Sequence, residues 1–210
     1  MKKRLKYSSL LLMAFALFFA SCEKETEGIS KVTEFAEFDM TGEEYYFMEK
    51  GTPYSEPGIK ALEGGQEIPV TTDGTVDENT PGVYTLTYTA TNSDGFSKSI
   101  TRIVVVYDGD ISSTDFSGDY FGGYYGDADM TVTREKDGLY WATDVFGYGP
   151  PYPIPGYIVD IGSGNLIVLE TSSPFGPVWE TPGTYTSDKL AYTLGIQGYG
   201  YIFTLEWDLQ

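Results

Sequence analysis

The side chains able to do chemistry in this sequence are carboxylates and aromatic rings, because the common nucleophiles and bases are missing. There is no histidine and a single cysteine, Cys22, in 210 residues. Ser-His-Asp triads, Cys-His dyads, His/Cys zinc sites, thiol redox pairs and internal disulfides are therefore excluded. With 31 Asp and Glu, catalysis by paired carboxylates and oxygen-ligated metals stay formally open. No pair, however, stands in an apolar context that would drive two pKa values apart. The acidic groups Asp73-x-x-x-Asp77-Glu78-Asn79, Asp108-x-Asp110 and Asp127-x-Asp129 lack the twelve-residue spacing of an EF-hand and read as solvated turns. No catalytic residue, metal ligand or cofactor is expected.

The rings are more telling. Residues 114–210 hold 11 Tyr, 5 Phe and 3 Trp, and many fall in two proline-rich connections, Phe146–Tyr157 and Ser173–Trp179. Proline stiffens such loops and lowers the entropy lost on binding, while an exposed ring offers a flat apolar face. Saccharides stack their C–H faces on Tyr and Trp, and carboxylates accept hydrogen bonds from their hydroxyls. The candidate ligand-binding residues are thus Tyr148, Tyr152 and Trp179, with Asp144 or Glu180 as acceptor. The same rings could instead cap an open end of a sheet by packing on the prolines, and the sequence leaves both readings open. Gly118–Gly126 is no phosphate loop, since it lacks the Lys-Ser/Thr ending and no helical period follows. It reads as a first strand in which glycines ease close approach of neighbours.

The elements that position these loops are strands. No stretch of ten residues keeps an apolar i, i+3, i+4, i+7 recurrence; segments with period two alternate with turns rich in the 25 Gly and 11 Pro. The chain is predicted to be all-β. A polar, turn-rich stretch at 108–114 divides an Ig-sized part, 29–110, from an aromatic part, 114–210. In the first, Val83–Ala90 alternates strictly, with Tyr84, Leu86, Tyr88 and Ala90 on one face, and turns at Gly95 into a return strand with Val104 and Val106 inward. In the second, strands are predicted at 129–134, 138–143, 157–161, 166–170, 183–186, 190–196 and 199–207. Their short links favour a meander of antiparallel neighbours, as a sandwich or a small barrel.

Glu56-Pro57-Gly58-Ile59-x-Ala61, Gly74-Thr75-Val76-Asp77, Pro81-Gly82-x-Tyr84-x-x-x-Tyr88, Asn92-x-Asp94-Gly95 and Arg102-x-Val104-x-Val106 occur in that order. The set resembles the bacterial Ig-like module related to hyalin repeats and to a domain of pesticidal crystal proteins. That resemblance implies a β-sandwich acting as a spacer or adhesion unit without an active site. The whole arrangement also resembles two-domain Bacteroides lipoproteins of unassigned function, many of which accompany glycan-uptake systems.

The N-terminus supplies an address. Lys2, Lys3, Arg4 and Lys6 precede an apolar run from Leu10 to Ala20, the order of a secretory signal, here 1–21, and the run is too short to span a bilayer. Phe19-Ala20-Ser21-Cys22 resembles a lipobox, with Phe where Leu is usual. Lipidation of Cys22 is expected to anchor the chain in the outer membrane, since two or more acyl chains hold firmly where one does not. The acidic tether at 22–28, Glu23-Lys24-Glu25-Thr26-Glu27 within it, resembles the surface-export signal of Bacteroides-type lipoproteins. Past the signal, nine basic residues face 31 acidic ones, a net charge of −22. Such a chain repels phosphate backbones, so nucleic acid is not an expected partner. The expected function is a non-catalytic surface lipoprotein that binds carbohydrate beside uptake-system proteins. The alternative is a structural or adhesion module presenting a protein-binding β domain.

Overall fold

The computed structural model describes residues 32–198, 200 and 202–210; Cys22 and the segments read from sequence as a leader, 1–21, and a tether, 22–28, lie outside them. Every regular element among the described residues is a strand, as the period-two pattern requires. The first seven are β1 (Glu37–Met40), β2 (Tyr45–Glu49), β3 (Ile59–Glu63), β4 (Gln66–Ile68), β5 (Val70–Asp73), β6 (Gly82–Thr91) and β7 (Ser97–Tyr107). They form a three-stranded sheet, β1-β3-β4, and a four-stranded one, β2-β7-β6-β5. The long β6–β7 hairpin runs in register from Gly82↔Val106 to Thr91↔Ser97, and Gly95 closes its turn through an amide bond to the Asn92 carbonyl at 3.0 Å. Leu86, Tyr88, Val104 and Val106 bury one face together with Met48. Not every pairing is antiparallel, because β2 joins β7 in parallel.

One polar cluster ties the sandwich together. Arg102 is fully buried; its guanidinium donates to the carbonyls of Thr41 (2.8 Å) and Glu43 and pairs with Glu56 at 3.1 Å. Glu56 also accepts from Tyr88, from Tyr54 at 2.5 Å and from the Gly58 amide at 3.0 Å. Burial opposes ionisation of this carboxyl, but the bonds from Tyr54, Tyr88 and Gly58 and the charge of Arg102 outweigh it and hold the group below its usual range. Glu56, Tyr88 and Arg102, widely separated in sequence, thus meet at one point.

The remaining strands are β8 (Gly118–Gly122), β9 (Ala128–Lys136), β10 (Leu139–Ala142), β11 (Gly156–Gly162), β12 (Asn165–Val168), β13 (Thr171–Ser173), β14 (Gly176–Val178), β15 (Thr181–Tyr185), β16 (Lys189–Gly195) and β17 (Ile202–Leu209). Eight of them close into an up-and-down barrel, β8-β9-β10-β11-β12-β15-β16-β17, with Trp207↔Gly122 and Leu209↔Tyr120 completing the ring. Of sandwich and barrel, the molecule adopts the barrel. β13 and β14 form a separate hairpin in what reads from sequence as a proline-rich loop.

Alternation decides what the barrel faces. Ala128, Met130 and Val132 point inward from β9 while Asp129, Thr131 and Thr133 point outward; on β17, Leu205 and Trp207 are buried while Thr204, Glu206 and Asp208 are exposed. Apolar inside and polar outside is the reverse of a membrane-spanning barrel. The interior is filled by side chains such as Tyr140, Ile158, Leu166, Leu194 and Trp207. It also holds Asp160, which accepts from Tyr185 and from the Gly162 amide at 2.7 Å; burial nonetheless holds its carboxyl above the usual range.

Two barrel strands are apolar on both faces. Val159 and Ile167 look outward and pack, with Leu139 and Leu169, against Val105, Tyr45, Phe47, Val83 and Ile103 of the sandwich. Lys136 stands at the edge of this contact. It pairs with Glu43, donates to the Tyr45 carbonyl at 2.6 Å and lies 5.0 Å from the Phe47 ring centre. The 108–114 stretch does not run free: Ile111 is buried, and the Asp108 amide bonds the Ile161 carbonyl at 3.0 Å. Gly162 makes that approach possible, for at φ 86° a Cβ there would lie 2.0 Å from the Asp108 carbonyl oxygen. Phe35–Gln210 accordingly forms one compact unit.

Candidate functional site

In an up-and-down barrel every second connection emerges at the same end. At one end the links are tight: Asp137-Gly138, Ser163-Gly164 and Thr186-Ser187-Asp188. At the other the connections are long, covering residues 123–127, 143–155, 169–180 and 196–201. The aromatic residues gather here. Phe146 is fully buried and forms the base; Tyr148 stacks on it at 4.5 Å with planes only 11° apart. Tyr124 lies 5.6 Å and Tyr125 5.9 Å from Tyr148, on one side. Phe175 stands 5.2 Å from Tyr148 on another and leads to Tyr152 at 6.1 Å. Phe203 packs edge-on to Tyr124 at 4.8 Å. Tyr125 and Tyr152 are the rings turned outward, 65% and 55% exposed.

Backbone contacts hold the loops together. The Tyr124 amide bonds the Phe146 carbonyl at 3.0 Å, and Val178 bridges Ile196. Gly123 and Gly147 touch backbone to backbone; each has φ near 80°, and a Cβ on Gly147 would sit 2.4 Å from the Gly123 Cα. A side chain at either position would push these two loops apart.

The sequence-predicted residues divide into three groups. Tyr148 and Tyr152 come together through Phe175. Trp179 is half-buried beyond the hairpin, its amide bonded to the Gly195 carbonyl at 3.0 Å, and it makes no ring contact among the described residues. Asp144 is corrected from a surface acceptor to an internal hub. It is 1% exposed and accepts the amides of Phe146, Gly147 and Ile154 on one oxygen and that of Gly149, at 2.8 Å, on the other. A carboxylate so enclosed shapes the 143–155 loop and has no face left for a hydroxyl. Glu180 is solvent-accessible, yet partial burial of its carboxyl and the charge of Glu170 hold it above the usual range. Tyr124 and Tyr125 were not anticipated. Their signal was a Tyr-Tyr doublet between glycines, since adjacent residues of a strand cannot both point into the barrel.

Other acidic groups serve as turn formers. Asp77 accepts from the Asn79 amide and the Thr80 hydroxyl, Asp110 from Ser112, and Asp108 pairs with Lys50 at 3.1 Å. Two surface depressions lie near the tight-turn end, around Phe47 with Tyr107, Ile111 and Ser112, and with Tyr46 and Lys136. They carry no convergent set of reactive groups, and the chemistry of the rings outweighs their concavity.

Residues 38–106 match the family model described as a bacterial surface protein, Ig-like domain. The sandwich is an Ig-like domain. The match spans β1 to β7 and stops short of the barrel. Among solved structures, the chain is similar to the lipoprotein BT2262 from Bacteroides thetaiotaomicron, at 27% identity over 83% of this chain and 100% of that one, with a TM-score of 0.37. No curated protein matches it.

Proposed function

We propose that this chain is a non-catalytic surface lipoprotein that captures carbohydrate on the aromatic end of its barrel. The observation carrying this reading is the convergence of seven rings, six from three connections and Phe203 from the start of β17, with Tyr125 and Tyr152 outermost. A closed barrel fixes the strand ends, Asp144 fixes the longest loop, and rings presented from so rigid a base lose little entropy on stacking against a sugar. Trp179 and Glu180 flank the platform, as a further ring and an acceptor for hydroxyls. The Ig-like domain supports surface display, since its family is described for bacterial surface proteins. Cys22 is the proposed lipid attachment in the outer membrane, facing the exterior, and uptake-system proteins are the proposed neighbours.

Titration of the purified protein against a panel of host and dietary polysaccharides tests the binding. Saccharide-dependent retention, weakened in Tyr152→Ala, is expected; no retention across the panel would sink the proposal. Release of reducing ends from any retained polysaccharide would argue against a non-catalytic role and direct attention to Glu170 and Glu180. A protein ligand is the second reading, favoured by Ile202, which is apolar and 67% exposed at the same end. It predicts capture that free saccharide does not compete. For the anchor, Cys22→Ala should release the protein from membranes, and protease shaving of intact cells reports the face.

A further inference from the structure

Resting on the carbohydrate reading, the geometry points to selection by charge: the aromatic end takes neutral saccharides and turns away uronate- or sulfate-bearing ones. The four connections that build this end contain no Lys or Arg at all. Three cations of the barrel, Arg134, Lys136 and Lys189, belong instead to the tight-turn end, and each is already paired. Arg134 holds Asp137 at 2.8 Å, Lys136 holds Glu43, and Lys189 holds Glu206 at 3.1 Å and Asp208 at 3.2 Å.

Distance removes any help from them. Lys189 opens β16 and Gly195 ends it at the aromatic end, so six residues of strand separate the two, roughly 20 Å. That exceeds twice the Debye length of about 8 Å at physiological salt. The exposed charges carried by the connections of the aromatic end are negative: Asp127, Glu170 and Glu180. Carboxylates accept hydrogen bonds from neutral hydroxyls, whereas a uronate or sulfate would meet like charge with no cation to pair. One such contact at 4 Å in water corresponds to about a fivefold loss of affinity. The rings supply the attraction, the carboxylates the polar contacts, and the absence of cations the exclusion.

The experiment uses a glucan, a mannan and a galactan, each beside its C6-oxidised uronate form, so that linkage and ring shape are shared and only charge differs. Retention of the mature protein is read by affinity electrophoresis, and affinity by calorimetry, in 20 mM and in 1 M NaCl. The neutral member of a retained pair should bind at least about fivefold more tightly at low salt, with the gap narrowing at 1 M salt as charges are screened. Equal or tighter binding of a uronate overturns the inference while leaving the carbohydrate reading intact. A gap unchanged by salt also overturns it, because shape and not charge would then discriminate. Retention of neither member of any pair removes the carbohydrate reading itself. Tyr125→Ala must weaken the neutral interaction; if it does not, the selectivity belongs to another surface.

Discussion

The two ends of the barrel are built from the same eight strands yet have opposite characters. At the tight-turn end, links of two or three residues and paired cations leave little room for change. At the other end, long connections hold rings over a buried Phe146, with acidic groups as the only charges. The difference follows from what each end does with its polar backbone. Tight turns satisfy it within the hairpins, whereas long loops need a hub, and Asp144 provides one with four amide contacts. A rigid binding surface can thus be made from irregular backbone when one buried carboxylate organises it.

The sharpest way to break this contrast is to strain both ends alike. Gly162→Ala and Gly147→Ala each place a Cβ against backbone at positive φ, and each should lower stability by about 3 kcal/mol in denaturant unfolding. Only Gly147→Ala should also abolish saccharide retention. Next in size, Asp144→Ala leaves buried amides without an acceptor and should cost about 2–3 kcal/mol. Its amide-exchange protection should fall across 144–154 and stay unchanged at the tight-turn end.

Smaller effects separate binding from folding. Tyr152→Ala and Tyr125→Ala should weaken saccharide binding about two- to tenfold each, the range of one aromatic contact. Melting should shift little, because both rings are exposed. For the Ig-like domain, the depressed pKa of Glu56 sets the sign of the pH response. Its contribution is fully present above the unfolded carboxyl's value near 4.5 and is lost as pH falls through the lower folded value. Glu56→Gln should flatten that acid limb; an unchanged limb would contradict the assignment. Smallest of all, Lys189→Ala removes two exposed ion pairs, to Glu206 and Asp208, and should leave the melting temperature unmoved.

Much of this architecture was legible in the sequence, and the exceptions have physical causes. Predicted strands at 129–134 and 157–161 lie within β9 and β11, and 190–196 overlaps β16 with a shift of one residue, because alternation and turn glycines are local signals. Barrel closure through β8 and β17 is a pairing between distant segments, and local pattern does not encode it. The packing of Val105, Val159 and Ile167 between sandwich and barrel escapes local pattern for a related reason: a strand buried on both faces loses the alternation that reveals its orientation. At the site, Tyr148 and Tyr152 could be read from ring and proline density. Asp144 could not, since an acidic residue in a Gly/Pro-rich loop looks the same whether it faces water or four amides. The Tyr124-Tyr125 doublet was hidden by its glycines, which suited a strand equally well.

The closed ring of strands also bears on how such a surface could diversify. Each long connection leaves one strand and re-enters its immediate neighbour, so an insertion in one loop need not alter the register of any other pair. The hydrogen-bonded wall acts as a chassis for residues 123–127, 143–155, 169–180 and 196–201, so the contacts these loops make with one another, and not strand register, limit how each can vary. Variation there is expected to change what is gripped long before it changes how the barrel folds, making this end the natural place for related chains to diverge.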